Sequence, residues 1–496
     1  MGTMSTSHAL FAPGRTGCSF ASLPATFYRQ VRPRPLTEPR LLHANPAAAA
    51  LLGLDAADLD SAAFLRLCSG QDGLPGVAPL ATVYSGHQFG VWAGQLGDGR
   101  AHLLGDVAGP RGRFEIQLKG SGRTPFSRMG DGWAVLRSSV REYLASAAMA
   151  GLGIPTTQAL ALVASRDPVM RETLETAAVV TRLAPTFVRF GHFEHWAGSH
   201  DDQAALLCYV VRHWYPQCLV GPDAAPDLPA TACQLLAEVC RRTARLIAQW
   251  QLAGFCHGVM NTDNMSILGL TLDYGPYGFM DTFQANHVCN HSDTQGRYAW
   301  NAQPAVARWN LYRLAGSLMV LGCVREDLEA ALAPFEAEFL QAYHAGMARK
   351  LGLPDWRAED VQLGDDWWAL LHEQRADFTL AFRCLAADPA GASAWLALFA
   401  DPAAARGWLA RYRARLAQSP VPAPERRRAM DAANPLYVLR NHLAQQAIVA
   451  AQAGDGSEIE RLMRLLAAPY AERPGFDAYA RPPDANVLPV AVSCSS

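Results

Sequence analysis

No uninterrupted apolar run in this chain approaches the ~18 residues needed to cross a bilayer; Leu318 to Val324 is among the longest. A membrane span is therefore not expected. The opening residues, Met1 to Arg15, hold neither an apolar signal core nor an arginine-rich amphipathic helix, so the expected location is cytoplasmic. Charge of one sign is also missing: 43 basic and 45 acidic side chains leave a formal net charge of -2. That excludes a global field for nucleic acid or an anionic membrane, and any phosphate site has to be local. The eleven cysteines are odd in number, scattered, and never spaced C-x-x-C, which argues against a disulfide framework or a zinc ribbon. Internal repeats are absent too. What remains is a half-apolar, 496-residue chain with ample material for a large core.

The stretch from His257 to Asp281, HGVMNTDNMSILGLTLDYGPYGFMD, concentrates the chemistry. Asp263 and Asn264 close a polar turn, Met265 to Leu272 reads as a hairpin, and Asp273 is followed by Tyr-Gly. Phosphoryl and nucleotidyl transfer need this set of groups: oxygen ligands for one or two Mg²⁺ ions, and a carboxylate beside the attacking hydroxyl. The order His, Asn, Asp-aromatic-Gly is similar to the protein-kinase H-R-D-x-x-x-x-N and D-F-G elements. One position departs from it. Val259 stands where the kinase catalytic Asp would be, and valine accepts no proton. Either the chain is inactive or Asp263 serves as the base.

Upstream, Arg113 to Lys119 alternates Phe114, Ile116 and Leu118 with polar residues, which predicts a half-buried strand ending in Lys119. Ala134 to Ala150 carries Leu136, Val140, Tyr143, Leu144 and Ala147 at helical spacing, together with Glu142. A strand lysine followed by a helix glutamate is how a kinase N-lobe builds its ion pair. Gly97-Asp98-Gly99-Arg100 reads as a hairpin turn or a phosphate-approaching loop, and Asp131-Gly132 as part of a second nucleotide-facing loop. TTQALALVAS, AAVVTRLA and TFVRFGHF predict further strands. Within them Arg182 and Arg189 lie in apolar surroundings, so either their stems snorkel to water or they need anions to pair with. From Asp201 onward helices dominate. His287, Cys289, His291 and Asp293 alternate in the polar segment after Asp281, where an extended chain could bind a soft metal.

These readings give an α/β (α+β) protein with a two-lobed, protein-kinase-like fold: a small, mainly antiparallel β N-lobe and an enlarged helical C-lobe. The expected organisation is a loose lead-in over 1–19, the N-lobe over 20–200, the C-lobe over 201–480 and an extended tail over 481–496.

Taken together, YSGHQFG, QLGDGRAHLLGD, QLKGSGRTPFSR, LRSSVREYL, the His257 to Asp281 stretch, NHSD, NPLYVLRN and the terminal CSS resemble the selenoprotein O family from about residue 20 to the end. The resemblance implies a kinase-like enzyme that lacks the usual catalytic Asp, binds ATP in a flipped orientation and transfers AMP to protein hydroxyls. Carried over by motif, Asp263 would be the base, Asn264 and Asp273 the Mg²⁺ ligands (with Mn²⁺ as the alternative metal), and Lys119, Arg182 and Arg189 the phosphate clamp. Glu142 would orient Lys119, while Gly97, Gly99, Arg100, Asp131 and Gly132 would line the nucleotide. Cys494 occupies the place of selenocysteine in many eukaryotic members, which implies weaker redox chemistry there or none. Separately, a thiol on a flexible end leaves two expectations open, a disulfide with Cys289 or an inert terminal cysteine.

Three readings stay open at this stage. The favoured one is Mg²⁺-dependent AMP transfer from ATP to Ser, Thr or Tyr of partner proteins by a monomer. The second is ordinary γ-phosphoryl transfer, and the third an ATP-binding scaffold without turnover. The first is favoured because three N-lobe cations would hold the β- and γ-phosphates and leave the α-phosphate facing Asp263.

Overall fold

The computed structural model describes residues 10–387, 392–484, 486 and 490–493. Among these, nine strands form one antiparallel sheet. Across it run Tyr28–Gln30, Leu80–Thr82, Ala101–Gly109, Gly112–Lys119, Leu174–Ala184, Gln158–Met170 and Arg40–Ala44. Register decides which side chains meet. Lys119 lies opposite Ala101 on one side and Val180 on the other, and Arg182 lies opposite Gln117. Since side chains alternate along a strand, Glu115, Gln117 and Lys119 share one face.

That face is covered, which corrects the half-buried expectation. Ile116 and Leu118 pack with Leu52, Phe64 and Leu67 on one side of the sheet. Glu115, Gln117 and Lys119 are buried on the other. The cover on the polar side includes the helix Leu136–Gly151, whose Leu136, Val140, Tyr143, Leu144 and Ala147 are all buried. Gly153, at φ +75°, turns the chain away after it.

The helical region holds Leu228–Leu252, capped by Asp227, whose side chain accepts from the Ala230 N–H at 3.0 Å. It packs on Phe335–Leu351 and Gln303–Leu318. The last helices, Asn441–Gln452 and Ser457–Leu466, return to pack on Leu136–Gly151. Gly151 permits this, because a Cβ there would lie 1.8 Å from the Leu466 carbonyl oxygen. The C-terminal part of the chain thus buttresses the N-terminal lobe, which the sequential division at residue 200 does not convey.

Four local expectations are corrected. Phe190–His195 is a helix, not a strand: the chain there passes so close to the backbone of Ser85 that a Cβ on Gly191 would sit 2.3 Å from its carbonyl oxygen. The hairpin expected over Met265 to Leu272 reduces to one bridge, Met265 to Thr271. Gly97 to Arg100 is a connection, and the hairpin is formed by Ser85–Gln88 and Val91–Gln95. Finally, the lead-in joins the fold, with Phe11 buried and Thr16–Gly17 paired to Ala101–Gly109.

Candidate active site

A cleft of about 760 Å³ opens between the sheet and the helical region. Its N-lobe wall carries Lys119, Arg182 and Arg189. Lys119 Nζ lies 2.6 Å from Glu142 Oε2 and also pairs with Asp273. Arg182 bridges the same two acids, at 3.0 Å from Glu142 Oε1 and 3.2 Å from Asp273 Oδ1, and pairs across the sheet with Gln117. Glu142 and Asp273 are thus the anions that Arg182 requires, whereas no described carboxylate forms an ion pair with Arg189. Arg189 donates to the Asp263 carbonyl at 3.0 Å and lies over the Tyr84 ring.

Residues of the His257 to Asp281 stretch, among them Val259, Asp263, Asn264 and Asp273, also line the cleft. Burial would raise the Asp273 carboxyl, but Lys119 and then Arg182 more than offset it and hold it well below the usual range. Lys119, Arg182 and the Tyr274 N–H all engage Oδ1, and no described group engages Oδ2. Asp263 behaves in the opposite sense. Burial pushes it up to about 6 against the pull of Arg189 and Gln88. Its Oδ2 accepts from Gln88 Nε2 at 3.2 Å, and Oδ1 is buried without a partner among the described residues. Asn264 lines the cleft while its Nδ2 donates to the Val259 carbonyl at 3.0 Å, so Val259 serves through its backbone. His257 is buried, depressed to about 4 by that burial, and packed 5.1 Å from Trp250.

Two glycine loops complete the cleft. At Gly97, φ is +138° and a Cβ would collide with the Phe126 ring. Between the glycines, buried Asp98 accepts from the Thr82 N–H at 2.9 Å and the Thr82 hydroxyl at 2.7 Å, fixing the loop. Gly99 and exposed Arg100 line the cleft beside it. In the second loop Gly132, at φ +78°, touches the backbone of Gly122, and a Cβ would come within 2.2 Å of it. Asp131 lines the cleft, but its carboxylate is held by Arg171 at 2.7 and 3.0 Å.

The structure thus collects Gly97, Gly99, Arg100, Lys119, Asp131, Gly132, Arg182, Arg189, Asp263, Asn264 and Asp273 around one cleft, with Glu142 behind Lys119. Sequence reasoning assigned no role to Gln88, Gln117 or Arg171. Cys289 lies apart, with its thiol 2.9 Å from the Pro276 carbonyl oxygen. Cys494 lies outside the described residues. The soft-metal arrangement, disfavoured by the lack of a second ligand pair with zinc spacing, is not formed: no described group of three or more His, Cys, Asp or Glu, His287, Cys289, His291 and Asp293 included, is placed to hold a metal. Asp293 instead accepts from the N–H groups of Arg297 and Tyr298. No described helix is long and apolar enough to cross a membrane.

Comparison with known proteins fits this geometry. The family model described as "Protein adenylyltransferase SelO" matches residues 15–467. This chain belongs to that family. A "Protein nucleotidyltransferase YdiU" of Bordetella petrii is 61% identical over 494 residues, covering 98% of this chain and 99% of the relative. Proteins of the same description from Ralstonia nicotianae and Herminiimonas arsenicoxydans are each 51% identical, covering 98% and 96% of this chain and 96% of each relative. Membership makes the chain an enzyme of the nucleotidyltransferase class.

Proposed function

We propose that this enzyme transfers AMP from ATP to Ser, Thr or Tyr hydroxyls of proteins, with Asp263 as the base and Mg²⁺ held by Asn264 and Asp273. The observation that carries the reading is the grouping of Lys119, Arg182 and Arg189 in one cleft with Asp263, where Arg189 donates to the Asp263 carbonyl and leaves the carboxylate to the acceptor. A kinase needs one such lysine, so the additional cations favour the β- and γ-phosphates lying against the N-lobe wall. The α-phosphate is then the one facing the base.

The donor set suits the metal. Asp273 Oδ2 and the Asn264 amide oxygen are hard donors with no described hydrogen bond, which fits Mg²⁺, or Mn²⁺, rather than a soft ion. When bound, Mg²⁺ would supply charge that neutralises the phosphates and the departing pyrophosphate. The protein does the rest. Glu142 steadies Lys119, which with the two arginines orients the phosphates. Asp263 Oδ1, buried and unpartnered, takes the proton of the acceptor hydroxyl. A carboxylate raised to about 6 is a better proton acceptor than an exposed one and is still ionised near neutrality. The acceptor oxygen bonds to the α-phosphorus, the bond to the α–β bridging oxygen breaks, and its electron pair leaves with pyrophosphate.

Ordinary phosphoryl transfer is the second reading, favoured by the kinase-like order of His257, Asn264 and Asp273-Tyr-Gly. ATP labelled separately at the α or γ position decides between them. Label on a protein acceptor from the α position alone is expected; transfer from γ alone would establish the kinase reading. No label from either would leave the scaffold.

The Cys289 to Cys494 link remains a proposal. Its support is that Val492 pairs with Asn290 and accepts from the His291 N–H at 2.9 Å, bringing the described end of the tail against the segment that follows Cys289. Non-reducing peptide mapping after mild oxidation should yield a linked pair, and its absence removes the idea.

A further inference from the structure

The hairpin of Ser85–Gln88 and Val91–Gln95 is clamped onto the catalytic loop by its tip. Gln88 Nε2 lies 3.2 Å from Asp263, the His87 N–H donates to Thr262 Oγ1 at 2.7 Å, and the Phe89 N–H lies 3.1 Å from Asn261 Oδ1 and 2.9 Å from the Tyr298 hydroxyl. Phe89 at φ +50° and Gly90 at φ +82° form the left-handed turn, and a Cβ on Gly90 would meet the Arg297 guanidinium at 2.9 Å. The backbone is thus held in place while the side chains are left in water. Val91 is 70% exposed, Trp92 50% and Phe89 38%. Of these Phe89 lines the cleft, as do Met129 and Met170, which are also exposed. Exposed apolar side chains gathered at the mouth of one cleft mark a surface that something apolar covers.

We propose that this tip selects the acceptor: it docks a large apolar residue flanking the acceptor hydroxyl in a protein segment. The reaction geometry identifies the occupant. Any acceptor oxygen has to reach Asp263, and Asp263 is bonded to the residue that precedes Phe89. Val91 is the cross-strand partner of Gln88 and shares its face of the hairpin, whereas Trp92 lies opposite His87 on the other face. An extended acceptor segment advances about 3.3 Å per residue, so its nearest neighbours lie toward Phe89 and Val91. The inference rests on the transfer reading for what happens after docking, but the docking can be measured without it.

Two peptides of equal length and charge are compared, each with a single serine, flanked by leucine in one and glycine in the other. Binding is read by fluorescence anisotropy on the intact chain with Mg²⁺ and a non-hydrolysable ATP analogue. The leucine peptide should bind about tenfold more tightly, or about 1.4 kcal/mol. Val91→Ser should bring the ratio toward unity and Trp92→Ser, on the other face, should leave it unchanged, with the melting temperature and analogue affinity unaltered in the Val91 variant. Val91 is exposed enough that its substitution reads docking and not folding. Equal binding by the unaltered chain, or a ratio that survives the Val91 substitution, overturns the proposal. So does a dimer that Val91→Ser dissociates, since a second copy would then be what covers the patch. Preferential binding without α-label on the serine would instead count against the transfer reading and leave the docking intact.

Discussion

Asp263 and Asp273 are driven in opposite directions by their surroundings, one raised by burial and the other held down by Lys119 and Arg182. Their substitutions should therefore separate. Asp273→Ala should abolish Mg²⁺-dependent nucleotide binding along with turnover, because few ligands share the metal. Asp263→Ala should lower turnover by about 100-fold or more while leaving ATP affinity nearly intact. Equilibrium ATP binding alongside AMP transfer checks both, and wild-type turnover in Asp263→Ala would move the base elsewhere. A third residue tests electrostatics away from the site. Lys350 is buried with its ammonium 4.2 Å from the Phe382 ring, has no described carboxylate partner, and is pushed down by burial to about 7 from 10.5. Between those two values the unfolded chain binds more protons than the folded one, so this group's contribution to stability rises with pH across the window and its penalty is full below about 7. Lys350→Met should accordingly raise the melting temperature most at about pH 6 and least at about pH 10. Equal shifts at both would refute the assignment. Lys119 and Glu142 were legible from a strand period followed by a helix period. The doubling of their pair by Arg182 was not, because it depends on which strand lies beside Gly112–Lys119.

Among the elements, the two glycine loops are specified by contact more than by local turn chemistry. Gly97 was readable as a turn glycine, but its reason is the Phe126 ring, brought in from the following loop. Gly97→Ala should weaken ATP binding by about tenfold through strain in the loop, with a smaller effect on global stability. Calorimetric titration of ATP against the variant, beside its thermal melt, checks this; unchanged affinity would remove Gly97 from the nucleotide site. The helix Leu136–Gly151 was predicted within a residue or two, since its apolar spacing and its glycine stop are both local signals. Phe190–His195 was misread because an aromatic-rich run suits a strand as well as a buried helical turn, and only its close passage over the Ser85 backbone selects the turn.

Across the whole molecule, the C-terminal segment ties the lobes together. Arg440, in NPLYVLRN, is fully buried, pairs with Asp281, and holds Asp377 at 2.8 and 3.2 Å. Nearby, Arg141 on the Glu142-bearing helix reaches Asn441 at 3.1 Å and the Tyr277 carbonyl at 2.7 Å. Removing the Arg440 guanidinium would leave two carboxylates without their shared cation. Arg440→Ala should cost about 3 to 5 kcal/mol of stability, read by urea unfolding. A loss below about 1 kcal/mol would mean that water replaces the arginine readily.

By itself the sequence determined the two-lobed α+β class, the contribution of the His257 to Asp281 stretch to the cleft, and the identities of the cations and acids around it. Each of those is written in residue type and short-range spacing, which report on partners a few positions away. The tertiary structure alone decided that Gln88 touches Asp263 from 175 positions upstream, that Asp131 is held by Arg171, and that the last helices buttress the first lobe. Such contacts follow from strand register and helix packing, and no local period encodes them.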